Sequence, residues 1–223
     1  MGRGWIRIAV LAALSTLVSP SARAQSDDLY SAPYCEPSAG TRLLYTNRAY
    51  EIEQKAIDAP PLYYSYRILA GAGAPRRVER RSQLLFDDGV NADHWKVETG
   101  SDAFRAFWPL EPNKQLTLGR IDRTTGMHAT VSFMVLGLDA VEADGRSIQS
   151  WKIRRLDRYS DGSTSFQFLW YAPELCTLSA FTDSHHRTIR LLRVLKPGDP
   201  DYGRALEVRK RRLTFTDKNV PVE

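Results

Sequence analysis

The chain has 223 residues and a formal net charge of +5; 43% of its residues are hydrophobic and 26% are charged. That apolar content supplies a core and excludes a chain disordered throughout, and the length fits one domain, large β domains included. The positive excess is mild and partly lies in the first two dozen residues, so it does not point to nucleic acid.

Those first residues read as a secretory leader. Arg3 and Arg7 precede an apolar run over 8–18, Pro20 and Ser21 break it, and Ala22-Arg23-Ala24 has the small-x-small form of a cleavage site. This predicts a signal peptide over 1–24, removal after Ala24 and a periplasmic destination. The run is shorter than the roughly 20 residues a spanning helix needs, which sets aside a retained anchor. No later segment is long and apolar enough to span, and Cys35 lies too far downstream for a lipoprotein. Removal of the leader takes away Arg3, Arg7 and Arg23 and no acid, leaving a net charge of +2.

Residues 25–40, rich in Ser, Asp, Pro and Gly, read as an extended arm, 41–216 as a single β domain, and 217–223 as a polar tail. Strand signals begin with 41–52, where Leu43, Tyr45, Tyr50 and Ile52 stand out; a helix over 49–58 is the competing reading. Tyr64, Tyr66 and Ile68 alternate up to the glycines at 71 and 73. Residues 76–86 and 90–97 flank Asp87-Asp88-Gly89, a hairpin signal. One short helix fits near 101, ended by Pro109 and Pro112.

Strand patterns return at 116–123 and 128–138 around Thr-Thr-Gly, and at 147–156 after Asp144-Gly145. Phe166, Phe168 and Trp170 then share one face of a strand, and 189–195 and 205–216 follow. Eight or more strands joined by tight turns predict an all-β fold. Its form is an antiparallel meander making a strongly curved sheet or an open barrel or sandwich, with at most one or two short helices.

Catalytic patterns are missing. There is no HExxH, no Gly-x-Ser-x-Gly and no phosphate loop. His185 and His186 sit beside Asp183 in a polar turn, and neighbours on extended backbone point apart, which is poor zinc geometry. Glu174, Asp157, Asp161 and Asp183 are available carboxylates, but no spacing selects a pair. No catalytic residue, metal or cofactor is therefore assigned. Basic runs at 76–77, 80–81, 154–155 and 209–212 should divide between the two faces of their strands and guard edges; attraction to anionic headgroups or surface polysaccharide is the other reading.

Cys35 and Cys176 form an even pair in an oxidising compartment, which suggests one disulfide. The alternatives are two separate thiols with Cys176 buried, or a catalytic thiol, although neither a CxxC nor a Cys/His pairing accompanies them. Aromatic residues mostly build cores. A curved sheet can also present some of them as a receptor for an apolar ligand, and Tyr64, Tyr66, Trp151, Phe168 and Trp170 are the candidates.

Two segments carry a resemblance. Phe107-Trp108-Pro109-Leu110 and Trp170-Tyr171-Ala172-Pro173-Glu174-Leu175 are similar to the Trp-Pro-Leu-x-x-Gly and Trp-Tyr-x-Pro-Glu-Leu-Gly segments of an uncharacterised family of bacterial periplasmic β domains. The likeness covers about 105–195. It implies an antiparallel envelope domain, structural roles for Trp108, Pro109, Tyr171, Pro173 and Glu174, and no established activity. Asn113 and Cys176 stand where that family has glycine; the second departure fits a subgroup that anchors a disulfide to Cys35 at this turn.

The leading functional expectation is a non-enzymatic envelope protein that binds a lipid, a glycan or a protein partner in an aromatic-lined groove. A hydrolase acting on envelope polysaccharide, peptidoglycan or lipid, and a purely structural interaction module, are the alternatives.

Overall fold

The computed structural model describes residues 32–35, 37–53, 63–70, 76–81, 95–97, 103 and 106–202; for 63–66, 70, 76–81 and 95–97 it describes the backbone alone. The predicted leader, half of the arm, His94, the turn at 87–89, the strand at 205–216 and the tail lie outside those residues. Among the described residues there are eleven strands: β1 Arg42–Tyr45, β2 Ala49–Glu53, β3 Tyr63–Ala70, β4 Arg76–Arg81, β5 Trp95–Val97, β6 Gln115–Asp122, β7 His128–Ala143, β8 Arg146–Tyr159, β9 Thr164–Ala172, β10 Thr177–Thr182 and β11 Thr188–Leu195. Helical structure is confined to Ala103, Ala106 and Phe107 and to a single 3-10 turn at Pro173–Leu175, among the described residues.

All strands join one antiparallel sheet in the order β4-β3-β2-β1-β11-β10-β9-β8-β7-β6-β5. This is chain order wrapped round on itself: β1 pairs with β11, and β4 and β5 form the two edges. The fold is thus all-β and antiparallel, and among the described residues it is not closed into a barrel.

Turn chemistry fixes the registers. Asp144 and Gly145 both have positive φ, as a two-residue type I′ turn requires, and join the long strands β7 and β8. The Asp122 carboxylate accepts the amides of Thr124 and Thr125 at 2.8 and 3.1 Å, which organises the turn before β7.

The expected strand over 41–52 is in fact the hairpin β1–β2, closed by Tyr45 N–H donating to the Arg48 carbonyl at 2.8 Å. The reason is visible in the apolar positions, which change from odd (Leu43, Tyr45) to even (Tyr50, Ile52). A strand cannot change face without a break. Strand β10 was not expected at all. It is buried on both faces, so its sequence has no alternation to detect.

Among the described residues the core forms two large clusters and a small third one of Leu44, Ala49 and Leu195. The first gathers Leu116, Leu118, Val131, Phe133, Val135, Trp151, Ile153, Leu169 and Tyr171, with Ala32, Phe107 and Leu110 laid against them. The second joins Leu43, Tyr45, Tyr50, Ile52, Ile68, Ile189 and Leu191 to Ala143 and Ile148. The tip of the β7–β8 hairpin reaches that second cluster because it is fastened to β11. Asp144 N–H donates to the Leu191 carbonyl at 3.2 Å, and the Asp144 carboxylate accepts from Val194 N–H at 3.0 Å.

The resembled segments meet at the N-terminal arm. Ala32 and Leu110 exchange two backbone hydrogen bonds of 2.8 and 3.0 Å. Trp108 packs edge-on against Tyr34 and Tyr171, with centroids 5.1 and 5.0 Å apart. Tyr171 is fully buried; its hydroxyl accepts from Cys35 N–H and donates to the Cys35 carbonyl, both at 3.3 Å. Cys35 and Cys176 are joined by a disulfide. Pro173 opens the 3-10 turn, and exposed Glu174 pairs with Arg146 at 3.1 Å.

Asn113 and Cys176 both have left-handed backbone: φ is 66° at Asn113 and 51° at Cys176. Glycine is the usual solution there because it has no Cβ, and asparagine is among the few side chains that tolerate it. Asn113→Gly is therefore expected to leave thermal stability unchanged or slightly raised, and Asn113→Val to cost about 1–2 kcal/mol. Equal melting temperatures for the two variants would contradict the left-handed assignment.

Candidate functional site

Extended backbone sends alternate residues of β8 and β9 to opposite sides, and the two sides differ in chemistry. Trp151 points inward, is 2% exposed and belongs to the first core cluster. Phe168 and Trp170 lie on the other side, half-buried. Tyr64 and Tyr66 are on β3, and their side chains lie outside the described residues. The five candidate ligand residues therefore do not line one groove: Trp151 is separated from Phe168 and Trp170 by the sheet itself.

The outward side carries a compact set of groups. On β9 the rings of Phe166, Phe168 and Trp170 follow one another with centroids 6.0 and 6.1 Å apart. The same face continues to Ala172, which is buried in the second core cluster. Lys152 stands opposite Trp170, and Arg154 opposite Phe168. The Lys152 ammonium sits 5.1 and 5.2 Å from the Phe168 and Trp170 centroids, within cation–π range.

Trp170 Nε1–H donates to Asp139 at 2.9 Å, and Lys152 lies 3.6 Å from the same carboxylate. The indole N–H bond is the main reason the Asp139 carboxyl is held below the usual carboxylate range; slight burial opposes it and Lys152 assists. On β7, Met134 faces Arg154, and Leu136 is 44% exposed beside Gly137. At the far end His186, itself at φ 60°, stacks on Phe166 at 4.4 Å. Phe166 is 45% exposed.

Spacing revealed the three rings as one face. Lys152, Asp139 and His186 were missed, because cross-strand register and a turn bring them there. Arg154 and Arg155 divide between the faces as extended backbone requires: the first is exposed and the second buried.

Inside the sheet, Arg155 joins a polar cluster at the end of the first core. It grips Asp157 with two donors, Nε to Oδ1 at 2.9 Å and Nη2 to Oδ2, and donates to Gln167 at 3.1 Å. Arg120 spans the small Ala129 to reach Asp157 at 3.0 Å and the Tyr159 hydroxyl at 3.2 Å. Burial lowers the Arg155 pKa to about 10, with Asp157 pulling the other way.

The remaining candidate groups serve turns. Asp161 accepts from the Ser163 hydroxyl and amide at 2.7 and 2.8 Å, which lowers its pKa. Asp183 accepts the amides of His185 and Arg187, both at 2.9 Å, and pairs with the Arg187 side chain. His128 is exposed at the start of β7, and among the described residues no three His, Cys, Asp or Glu side chains are placed to hold a metal ion.

No family model matches the chain, and no curated protein matches it. Among solved structures, the hypothetical lipoprotein YmcC from Escherichia coli is similar at 12% identity and a TM-score of 0.44, over 73% of this chain and 89% of that one. A Bacteroides fragilis protein with a YmcC-like fold, described as exported, is similar at 14% identity and a TM-score of 0.43, over 74% of this chain and 100% of that one. These are distant likenesses, and they do not single out the motif family that the two tryptophan segments resemble.

Proposed function

We propose that this is a non-enzymatic, extracytoplasmic protein of the bacterial envelope that holds a partner molecule against the outward face of β7–β9. The observation that carries the reading is the solvent-facing run Phe166, Phe168 and Trp170 bordered by Lys152 and Arg154. A sheet that only needed a solvated exterior has no use for three adjacent rings there, since large exposed apolar patches mark interaction sites. The leader pattern and the disulfide both support an oxidising compartment.

Asp157 and Asp183, two of the carboxylates that a hydrolase would use, are committed to arginines and turn amides. The binding reading is therefore preferred. Native mass spectrometry of protein purified gently from the periplasm should show a retained adduct that Phe166→Ser/Phe168→Ser loses. A wild type that carries and accepts no adduct, or a variant that retains it fully, refutes the reading.

A further inference from the structure

We propose that the partner is an anionic lipid surface, onto which the outward face of β7–β9 adsorbs; this rests on the reading above and names its ligand class. The outward positions of β8 are Lys152, Arg154, Leu156 and Arg158, and those of β9 are Phe166, Phe168 and Trp170, with Met134 and Leu136 nearby on β7. Three cations and six large apolar side chains stand on adjacent strands. Asp139, the acid at their border, is bound to Trp170 and Lys152.

Such a face is complementary to a headgroup layer. Long basic side chains carry their charge up to phosphate while their stems lie along apolar neighbours. Aromatic and aliphatic side chains enter the boundary between headgroup and acyl chain. Each cation near an anionic leaflet adds to the attraction.

Ring geometry separates a lipid surface from a sugar chain. A sugar chain held by stacking uses accessible ring faces, most simply in a common plane. Here Phe166 and Phe168 are inclined by 80°, and Phe168 and Trp170 by 51°. Lys152 lies over Phe168 and Trp170, and His186 is stacked on Phe166. What the face presents is hydrocarbon edge and cation, together with the half-exposed Leu136.

The test is co-sedimentation of the disulfide-intact protein with vesicles of phosphatidylglycerol and phosphatidylethanolamine, against vesicles of phosphatidylcholine alone. Binding is expected to the first and not the second, and to weaken as salt is raised. Lys152→Gln/Arg154→Gln should weaken it roughly thirtyfold, about fivefold for each charge. Phe166→Ser should weaken it as well, whereas Lys196→Gln, at an exposed turn beyond β11, should not. Circular dichroism checks that each variant is folded.

No binding to anionic vesicles, or equal loss with Lys196→Gln, overturns the proposal. A parallel arm uses soluble alginate. Retention on alginate that Lys152→Gln/Arg154→Gln abolishes, with no vesicle binding, overturns the lipid assignment and leaves the binding face standing. If the face variants change neither arm and retain the native adduct in full, the reading of the face falls too.

Discussion

Replacing Cys35 and Cys176 together by serine is expected to lower the unfolding free energy by about 4–5 kcal/mol. The two residues are 141 apart in sequence, so the bridge closes a loop across most of the described strands. In the chain-entropy model the gain grows slowly with loop length and lies near this value for loops above a hundred residues. The effect acts mostly on the unfolded chain, which the cross-link keeps compact.

A second contribution is local. The arm is held by the Ala32–Leu110 hydrogen bonds, the Tyr34–Trp108 contact and the Tyr171 hydroxyl. Without the bridge, non-covalent contacts such as these must oppose the entropy of releasing the arm. Urea unfolding of the oxidised wild type and the double variant measures the difference. A change below about 1 kcal/mol would mean that the unfolded chain gains little freedom from losing the link. Tyr171→Phe, which removes only the hydroxyl, should cost about 1 kcal/mol and so separates the local part from the cross-link.

What could be read in the sequence follows from how each residue acts. Asp144-Gly145 was legible because a type I′ turn demands positive φ at both positions, a local requirement. Trp151 and Ile153 were legible as alternating strand residues, and both are buried. The identity of the inward face of β9 was not legible. Phe166, Phe168 and Trp170 compete with Leu169 and Tyr171 for the core, and period-two alternation fixes parity without saying which parity is inside. The outcome is set by neighbours: Tyr171 is opposite Trp151, and Leu169 is opposite Ile153.

The polar cluster was hidden for a related reason. Arg120, Arg155 and Asp157 occupy inward positions that a strand pattern assigns to apolar side chains, and only the three-strand register brings them together. The aromatic and basic face combines both kinds of information. Its rings come from one strand, and its lysine, aspartate and histidine come from two other strands and a turn.

That same cluster sets the second large effect. Asp157→Ala is expected to cost about 3–5 kcal/mol, because it removes the carboxylate shared by two buried guanidinium groups. Arg120 and Asp157 side chains are each 4% exposed, so water does not readily replace the lost partner. In a domain of this size the loss corresponds to a fall in Tm of roughly 10 °C.

Asp157→Asn tests the cause. The amide keeps the shape and one acceptor but not the charge, so a charge-driven loss should be nearly as large as that of alanine. A loss under about 1.5 kcal/mol would instead assign the stabilisation to hydrogen bonding alone. Replacing all three residues together, Arg120→Met, Arg155→Met and Asp157→Leu, should recover much of the stability, since an apolar set of similar volume avoids the desolvation of the ions. Recovery would identify the cluster as a costly polar plug whose separate parts are indispensable to one another. Failure to recover would mean that its geometry also positions β6, β7 and β8, and through them the outward face that β8 shares with β9.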